Sequence, residues 1–202
     1  MTKRIAIAAL AALALAACGG SDSDPPSGPT LDTATAIGTY LDGKRWVMTG
    51  NDIPTHPNGY SEDVNYGAAT QCYNRVTLSM AASTWTTVSA LGTLTGAPNA
   101  GDTGDCDRTT VLATLPAFNS NAVLIENVAA GGACFDITVT YTGFAQEGRG
   151  KFSADGRTMT LELYFSGQAT GHRCANGAVG ASSVTLNGAA FTGNAQQVYR
   201  LQ

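Results

Sequence analysis

Two stretches late in the chain alternate apolar and polar residues with a period of two, the pattern of a half-buried β-strand. The apolar residues of CFDITVTYTG fall at odd positions from 135 to 141, and those of RTMTLELYFSG fall at odd positions from 159 to 165. Asp155-Gly156 lies between extended segments ahead of the second stretch, and this dipeptide is typical of a tight hairpin turn. The pattern predicts strands joined by short turns.

Less regular runs rich in threonine and β-branched residues predict further strands, and glycine or asparagine separates them. These runs cover 44–49, 73–80, 84–94, 109–115, 122–128, 182–186 and 197–201. No long stretch has helical periodicity, and the best helical candidate is a short turn near 32–40. Eight or nine strands predict an all-β fold, a single antiparallel β-barrel or a sandwich. Closure into a barrel would remove the exposed sheet edges that invite pairing with other chains.

The first residues have the pattern of a secretory signal. Lys3 and Arg4 precede thirteen uncharged apolar or small residues at 5–17, too few for the roughly 20 that cross a bilayer. The run ends in Leu15-Ala16-Ala17-Cys18, which resembles the lipobox of bacterial lipoproteins. The resemblance implies that the Cys18 sulfur receives a diacylglyceryl group, that the chain is cut before Cys18, and that the new amino terminus is acylated. A simple signal peptide with an unrelated cysteine nearby is the alternative.

The lipobox resemblance also predicts a location. Two or three acyl chains hold a protein stably on a membrane, whereas one holds it marginally. Gly19 stands where, in Gram-negative lipoproteins, an aspartate would resemble a signal for inner-membrane retention. We therefore expect a lipid anchor in the outer membrane of the cell envelope, facing the periplasm or the outside, with the leaflet left open.

Composition then divides the chain. Residues 1–17 form the signal that is removed, and 18–33 form the lipid anchor and a flexible linker, because GGSDSDPPSGPTLDT cannot bury enough apolar surface to order itself. Residues 34–202 remain for one β domain. The 185 residues from Cys18 onward carry nine basic and fifteen acidic side chains. This balance argues against nucleic acid as a partner.

Four cysteines remain in the domain, an even number in a chain directed to an oxidising compartment, which predicts two disulfides. They are Cys72, Cys106, Cys134 and Cys174. No pair has the two-to-four-residue spacing of a zinc ribbon. Three pairings are possible, and an up-and-down strand arrangement favours Cys72 with Cys106 and Cys134 with Cys174. The second pairing assumes that 144–157 is largely a loop or small hairpin.

Nothing in the sequence matches a catalytic motif, so we expect no catalytic residue, no cofactor and no enzymatic activity. Two histidines could act as general bases, His56 in a proline-containing loop and His172 beside Cys174, and surface or disulfide-tethered loops account for both. Three aspartates in NAGDTGDCD, Asp102, Asp105 and Asp107, are weak calcium candidates. Their spacing does not match the calcium loop, so a solvated acidic loop is the simpler interpretation.

Aromatic residues are concentrated early in the domain, at Tyr40, Trp46, Tyr60, Tyr66, Tyr73 and Trp85. They could belong to the core, or line a barrel mouth that takes a small apolar ligand, a sugar ring or a partner protein. The segment GTYLDGKRW and the glycine-punctuated strands loosely resemble lipocalin-type barrels, which carry small apolar ligands. The expected function is a non-enzymatic binding module for a small ligand or glycan. The alternative is an envelope structural or assembly factor that acts through protein contacts.

Overall fold

The computed structural model describes residues 28–54, 72–95, 105–191 and 195–202. These residues are mostly β, with one short helix, α1 (Ala34–Leu41), and fifteen strands. The strands are β1 (Arg45–Thr49), β2 (Tyr73–Ala81), β3 (Thr84–Leu91), β4 (Thr93–Thr95), β5 (Asp105–Asp107), β6 (Ala113–Thr114), β7 (Phe118–Asn119), β8 (Ala122–Glu126), β9 (Phe135–Tyr141), β10 (Phe144–Phe152), β11 (Thr158–Phe165), β12 (Ala169–Thr170), β13 (Thr185–Leu186), β14 (Ala189–Ala190) and β15 (Gln196–Leu201).

One curled antiparallel sheet forms the body of the domain, a half-barrel. Nine of its strands follow the order β6-β3-β2-β1-β15-β11-β10-β9-β8, and β7 also pairs with β3. The register places apolar residues of neighbouring strands opposite one another. Met159, for example, pairs with Phe152 on one side and with Tyr199 on the other. Two smaller sheets, β12-β13-β14 and β4-β5, lie outside this path.

The segment Phe118–Glu126 contacts strands near both edges of this sheet. On one side the Ser120 amide donates to the Trp85 carbonyl at 2.8 Å, and the Val123 amide donates to the Ser83 carbonyl at 2.7 Å. On the other side β8 pairs with β9 along its whole length. The sheet therefore curls far enough for one short piece of chain to hydrogen-bond to β3 and to β9.

Helix α1 lies at one end of the half-barrel, which we call the closed end. The Thr33 hydroxyl caps it by accepting from the Ala36 amide at 3.1 Å. Ile37 and Leu41, one turn apart, are buried in the main core. Leu31 is also part of this core, so the packed structure begins before residue 34. No helix in the described part of the chain is long and apolar enough to span a membrane.

Rings from four parts of the chain fill the closed end. Phe152 lies 5.8 Å from both Tyr40 and Trp46, and 5.5 Å from Phe135, between ring centroids. Phe135 packs where β10 carries Gly150, since a Cβ built there would lie 2.5 Å from the Phe135 ring. The glycine thus makes room for a fully buried aromatic side chain.

Both predicted disulfides are confirmed. Cys72 is bonded to Cys106, and Cys134 is bonded to Cys174. The first ties the start of β2 to β5, and the second ties the chain ahead of β9 to the loop after β12. The helical turn, the hairpin at Asp155-Gly156 and most predicted strands are also confirmed.

Three sequence predictions need correction. The expectation of a loop or small hairpin over 144–157 is wrong for its first nine residues, which form the inner strand β10, paired on both sides. The strand expected at 109–115 shrinks to the two residues of β6 because Val111 and Leu112 face solvent. The strand expected at 182–186 shrinks to Thr185–Leu186.

Candidate functional site

A cavity of about 450 Å³ lies in the half-barrel, and none of the closed-end rings Tyr40, Trp46, Phe135 and Phe152 lines it. We call the part of the half-barrel around this cavity the cavity end. The size of the cavity falls within the range of small-molecule sites, roughly 300 to 1,000 Å³. The inner-face residues Met48, Val76 and Leu163 belong both to its wall and to the main core. The cavity is therefore a continuation of the core that side chains leave unfilled.

Eight aromatic residues line the wall, although the Tyr164 ring itself packs against Phe191 in a second apolar cluster. Three come from the first half of the domain, namely Tyr73, Trp85 and Phe118. Five come from the second half, namely Tyr141, Phe144, Tyr164, Phe165 and Tyr199. Aromatic rings offer large apolar contact area and preferred stacking geometries to a bound molecule.

The polar groups of the wall are few and neutral. Besides tyrosines, they are Thr87, Ser89, Gln146 and Gln197, and no charged side chain lines the cavity among the described residues. Two of these groups already bond to each other, because the Tyr199 hydroxyl donates a hydrogen bond to the Gln197 amide oxygen at 2.9 Å. Such a wall suits an uncharged, largely apolar molecule, since a buried charge without a partner is strongly disfavoured.

Three of the rings form an aromatic platform, made of Phe118, Tyr141 and Phe144. Tyr141 stacks on Phe118 and on Phe144 with centroid distances of 4.7 Å each. The planes of Phe118 and Phe144 differ by 8°. Tyr141 is 7% exposed, whereas Phe118 and Phe144 are 47% and 37% exposed. The platform therefore has a buried base and an accessible upper surface.

The sequence explains how the platform is assembled. Tyr141 ends β9 and Phe144 begins β10, with a two-residue turn between them. Gly143 occupies that turn with a φ of +92°, a conformation that glycine adopts without strain. Phe118 arrives from β7, which pairs with β3 at Thr87. The turn thus brings Tyr141 and Phe144 together, and β7 adds Phe118 from an earlier part of the chain.

The outer face of β9, β10 and β11 carries buried charges, together with the buried Tyr164 ring. A covering loop, residues 166–191 with the short strands β12, β13 and β14, lies over this face, and the Cys134–Cys174 disulfide attaches it. Arg149 is fully buried, and its Nε donates to Glu162 Oε2 at 2.7 Å. Asp136 accepts from the Cys174 amide at 2.7 Å and from Asn127 at 2.9 Å. These bonds hold the loop against the sheet.

Arg149 organises most of the covering loop. Its guanidinium donates to the Gly177 carbonyl at 2.7 Å, to the Ala181 carbonyl at 3.2 Å and to the Ser183 hydroxyl at 3.3 Å. Buried charges are tolerated when they are paired and hydrogen-bonded in this way. The arrangement is structural, since Arg149 does not line the cavity.

His172 lies in the same outer layer and is 7% exposed. Burial lowers its pKa, and Glu147 opposes this effect. Its Nε2 atom lies 3.8 Å from Glu147 Oε2, beyond hydrogen-bond distance. Burial would raise the pKa of Glu147, but hydrogen bonds from Ser166 and Gly167 and the charge of Arg173 lower it overall. His172 does not line the cavity.

The structure describes only some of the remaining predicted site residues. Cys18, His56, Asp102, Tyr60 and Tyr66 lie outside the described residues. Asp107 accepts from the amide and the hydroxyl of Thr109 at 2.8 and 2.6 Å, so it stabilises a turn. No group of three or more His, Cys, Asp or Glu side chains that could hold a metal ion occurs in the part of the chain that the structure describes.

Sequence reasoning identified only part of the wall. Of the early aromatics, Tyr73 and Trp85 line the cavity, while Tyr40 and Trp46 pack at the closed end. The sequence places the aromatic residues of the second half on strand faces but indicates no role for them. Their odd-numbered alternation in β9 and β11 was the available signal, because it places Tyr141 and Phe165 on the inner face.

Comparison with protein-family models, with curated proteins and with solved structures finds no match for this chain. The site must therefore be interpreted from its own geometry and chemistry.

Proposed function

We propose that the chain is a lipid-anchored binding module of the bacterial cell envelope, which holds a small apolar ligand in the cavity of a β-barrel. The observation that carries the proposal is the uncharged, aromatic-lined cavity of about 450 Å³. A domain of this size normally fills its core to crystal-like density. A large apolar space with a few neutral polar groups is typical of a ligand site.

Closure of the half-barrel is part of this proposal. The hydrogen bonds from Ser120 to β3 and from Val123 to the turn before β3, together with the β8–β9 pairing, support a ring of strands at that level. A closed ring would leave fewer unpaired strand edges, and such edges are where a neighbouring chain can add a strand.

The lipid anchor rests on the lipobox resemblance at residues 15–18. The described structure begins at residue 28, ten residues beyond Cys18. Metabolic labelling with a clickable fatty acid tests this part: the full chain should incorporate label, and a Cys18→Ser variant should not. Equal labelling of both chains would contradict the anchor.

A structural or assembly role is the second candidate. Val111 and Leu112 are adjacent, apolar and 48% and 65% exposed, so they offer a small contact surface for a protein partner. The area of two side chains is well below that of a stable interface, and the cavity favours the first candidate.

A fluorescence titration with N-phenyl-1-naphthylamine, a neutral apolar probe, tests ligand binding. The full chain carrying Cys18→Ser avoids the need for detergent. We expect saturable binding, which Thr87→Phe abolishes by filling the cavity from β3. Val88→Phe is the matched control, since it adds the same ring to the next residue of β3, whose side chain points to the opposite face of the strand and does not line the cavity.

Two results would contradict the binding proposal. One is the absence of saturable binding by a chain whose thermal unfolding is cooperative. The other is an equal loss of binding in Thr87→Phe and Val88→Phe, which would indicate general disruption of β3 rather than occupation of the cavity.

A further inference from the structure

The geometry of the aromatic platform points to a narrower ligand class. We propose that the cavity selects neutral molecules with a flat, fused-ring apolar body over linear apolar chains of similar size, and that Phe118 and Phe144 make this selection. This inference rests on the proposed binding function and adds the shape of the ligand to it.

The platform has a surface that a flat molecule can cover. Phe118 and Phe144 are nearly parallel, with planes 8° apart and centroids 5.9 Å apart. Tyr141 supports both from the buried side at 4.7 Å. Both rings are partly exposed and line the cavity, so they offer aromatic surface to a bound molecule.

Stacking distinguishes a fused ring from a chain. Offset stacking adds a favourable contribution beyond the burial of area, and a flexible chain also loses more conformational freedom when it is held in place. A linear molecule gains area burial against the platform but no stacking. The flat molecule should therefore bind more tightly at equal apolar area.

The wall also disfavours charged ligands and sugars. No charged side chain among the described residues lines the cavity to pair with a carboxylate or an ammonium group. A sugar brings many hydroxyl groups, each of which needs a partner when buried, and Thr87, Ser89 and Gln146 supply few. The ligand chemistry that remains is a neutral ring system with few polar groups.

Competition for bound N-phenyl-1-naphthylamine tests this selection in the full chain carrying Cys18→Ser. The competitors are pyrene as the flat molecule, 1-dodecanol as the neutral chain and dodecanoate as the charged chain. We expect pyrene to compete best and dodecanoate worst. Phe144→Leu and Phe118→Leu keep an apolar side chain but remove the flat face. Each should weaken pyrene by about 3- to 10-fold relative to 1-dodecanol.

Phe165→Leu is the matched control. Phe165 also lines the cavity, but its ring is inclined by 67° to Phe144 and is not part of the platform. This variant should leave the ratio of pyrene to 1-dodecanol affinity unchanged. An unchanged ratio in Phe118→Leu and Phe144→Leu, with binding retained, would overturn the platform inference and leave the binding proposal standing. A complete lack of probe binding by the parent chain would overturn both.

Discussion

The two ends of the half-barrel are built from the same strands and are both rich in aromatic residues, yet they differ in what the rings do. At the closed end Phe152 stacks on Phe135 and meets Tyr40 and Trp46 at steep angles, and none of these rings lines the cavity. At the cavity end the platform rings are stacked and partly exposed beside an unfilled volume. Aromatic content alone therefore does not identify a binding site. The two ends are distinguished by whether side chains fill the space around the rings.

Strand β10 shows how one element serves both ends. Phe144 and Gln146 line the cavity, and Phe152 packs at the closed end. Gly148 and Gly150 lie between them on the same face of the strand, and Gly150 admits the Phe135 ring. The change from a packed to an open interior therefore occurs within nine residues.

The largest expected effect is on the free energy of unfolding, which should fall much more for a substitution at the closed end than for one at the cavity end. Phe135→Ala removes a fully buried ring from the closed end and should lower the free energy of unfolding by about 3 to 5 kcal/mol. Phe144→Ala removes a partly exposed ring from the cavity end and should cost about 1 kcal/mol. Urea unfolding with both disulfides intact measures the difference. An equal loss of unfolding free energy in the two variants would contradict the difference between the two ends.

The outer layer of β9–β11 provides a control region outside both ends. Arg149→Met leaves the Glu162 carboxylate buried without its partner and should cost about 3 kcal/mol. Binding of the naphthylamine probe should be unchanged, because Arg149 does not line the cavity.

The double variant Arg149→Met with Glu162→Leu checks the cause of that cost. It removes both charges and should recover much of the lost stability, since no unpaired charge stays buried. A binding defect in either variant at a temperature where the chain is folded would contradict the separation of the outer layer from the site.

The smallest expected effect concerns pH. Burial holds the pKa of His172 below its ordinary value of 6.5, so the unfolded chain binds the proton more readily than the folded one. Stability is then complete above pH 6.5 and falls as the pH drops toward the folded pKa, by at most about 1.4 kcal/mol for each pH unit. The groups facing His172 are Glu147, Arg173 and Asp136.

Unfolding at pH 7.5 and 5.5 compares the parent chain with His172→Gln, which cannot titrate. The difference between the two pH values should be smaller in the variant. Below pH 4.5 a second loss should appear in both chains, because the pKa of Glu147 is also lowered by folding. A pH response identical in both chains between 7.5 and 5.5 would contradict the role assigned to His172.

Much of the fold could be predicted because alternation reports directly on a sheet with one buried face. The strands around Ile137 and Leu161 and both disulfides follow from this pattern. Strand β10 escaped prediction because its inner face carries glycines and its outer face carries Glu147 and Arg149. Those charges look solvent-exposed in sequence, and only the disulfide-attached loop makes them buried.

The cavity could be predicted only in outline. Periodicity indicates which side chains face inward, but the unfilled volume depends on how many of them meet at one level of the sheet. Trp46 and Trp85 both lie in early strands, yet Trp85 lines the cavity while Trp46 packs at the closed end.

Native mass spectrometry of the full chain, purified from the cells that produce it, measures directly whether the cavity holds a small molecule. We expect a bound neutral small molecule that is retained by Val88→Phe and Arg149→Met and lost from Thr87→Phe. A folded parent chain that carries no bound small molecule, or a Thr87→Phe variant that keeps it, would contradict the claim that the cavity end is the binding site.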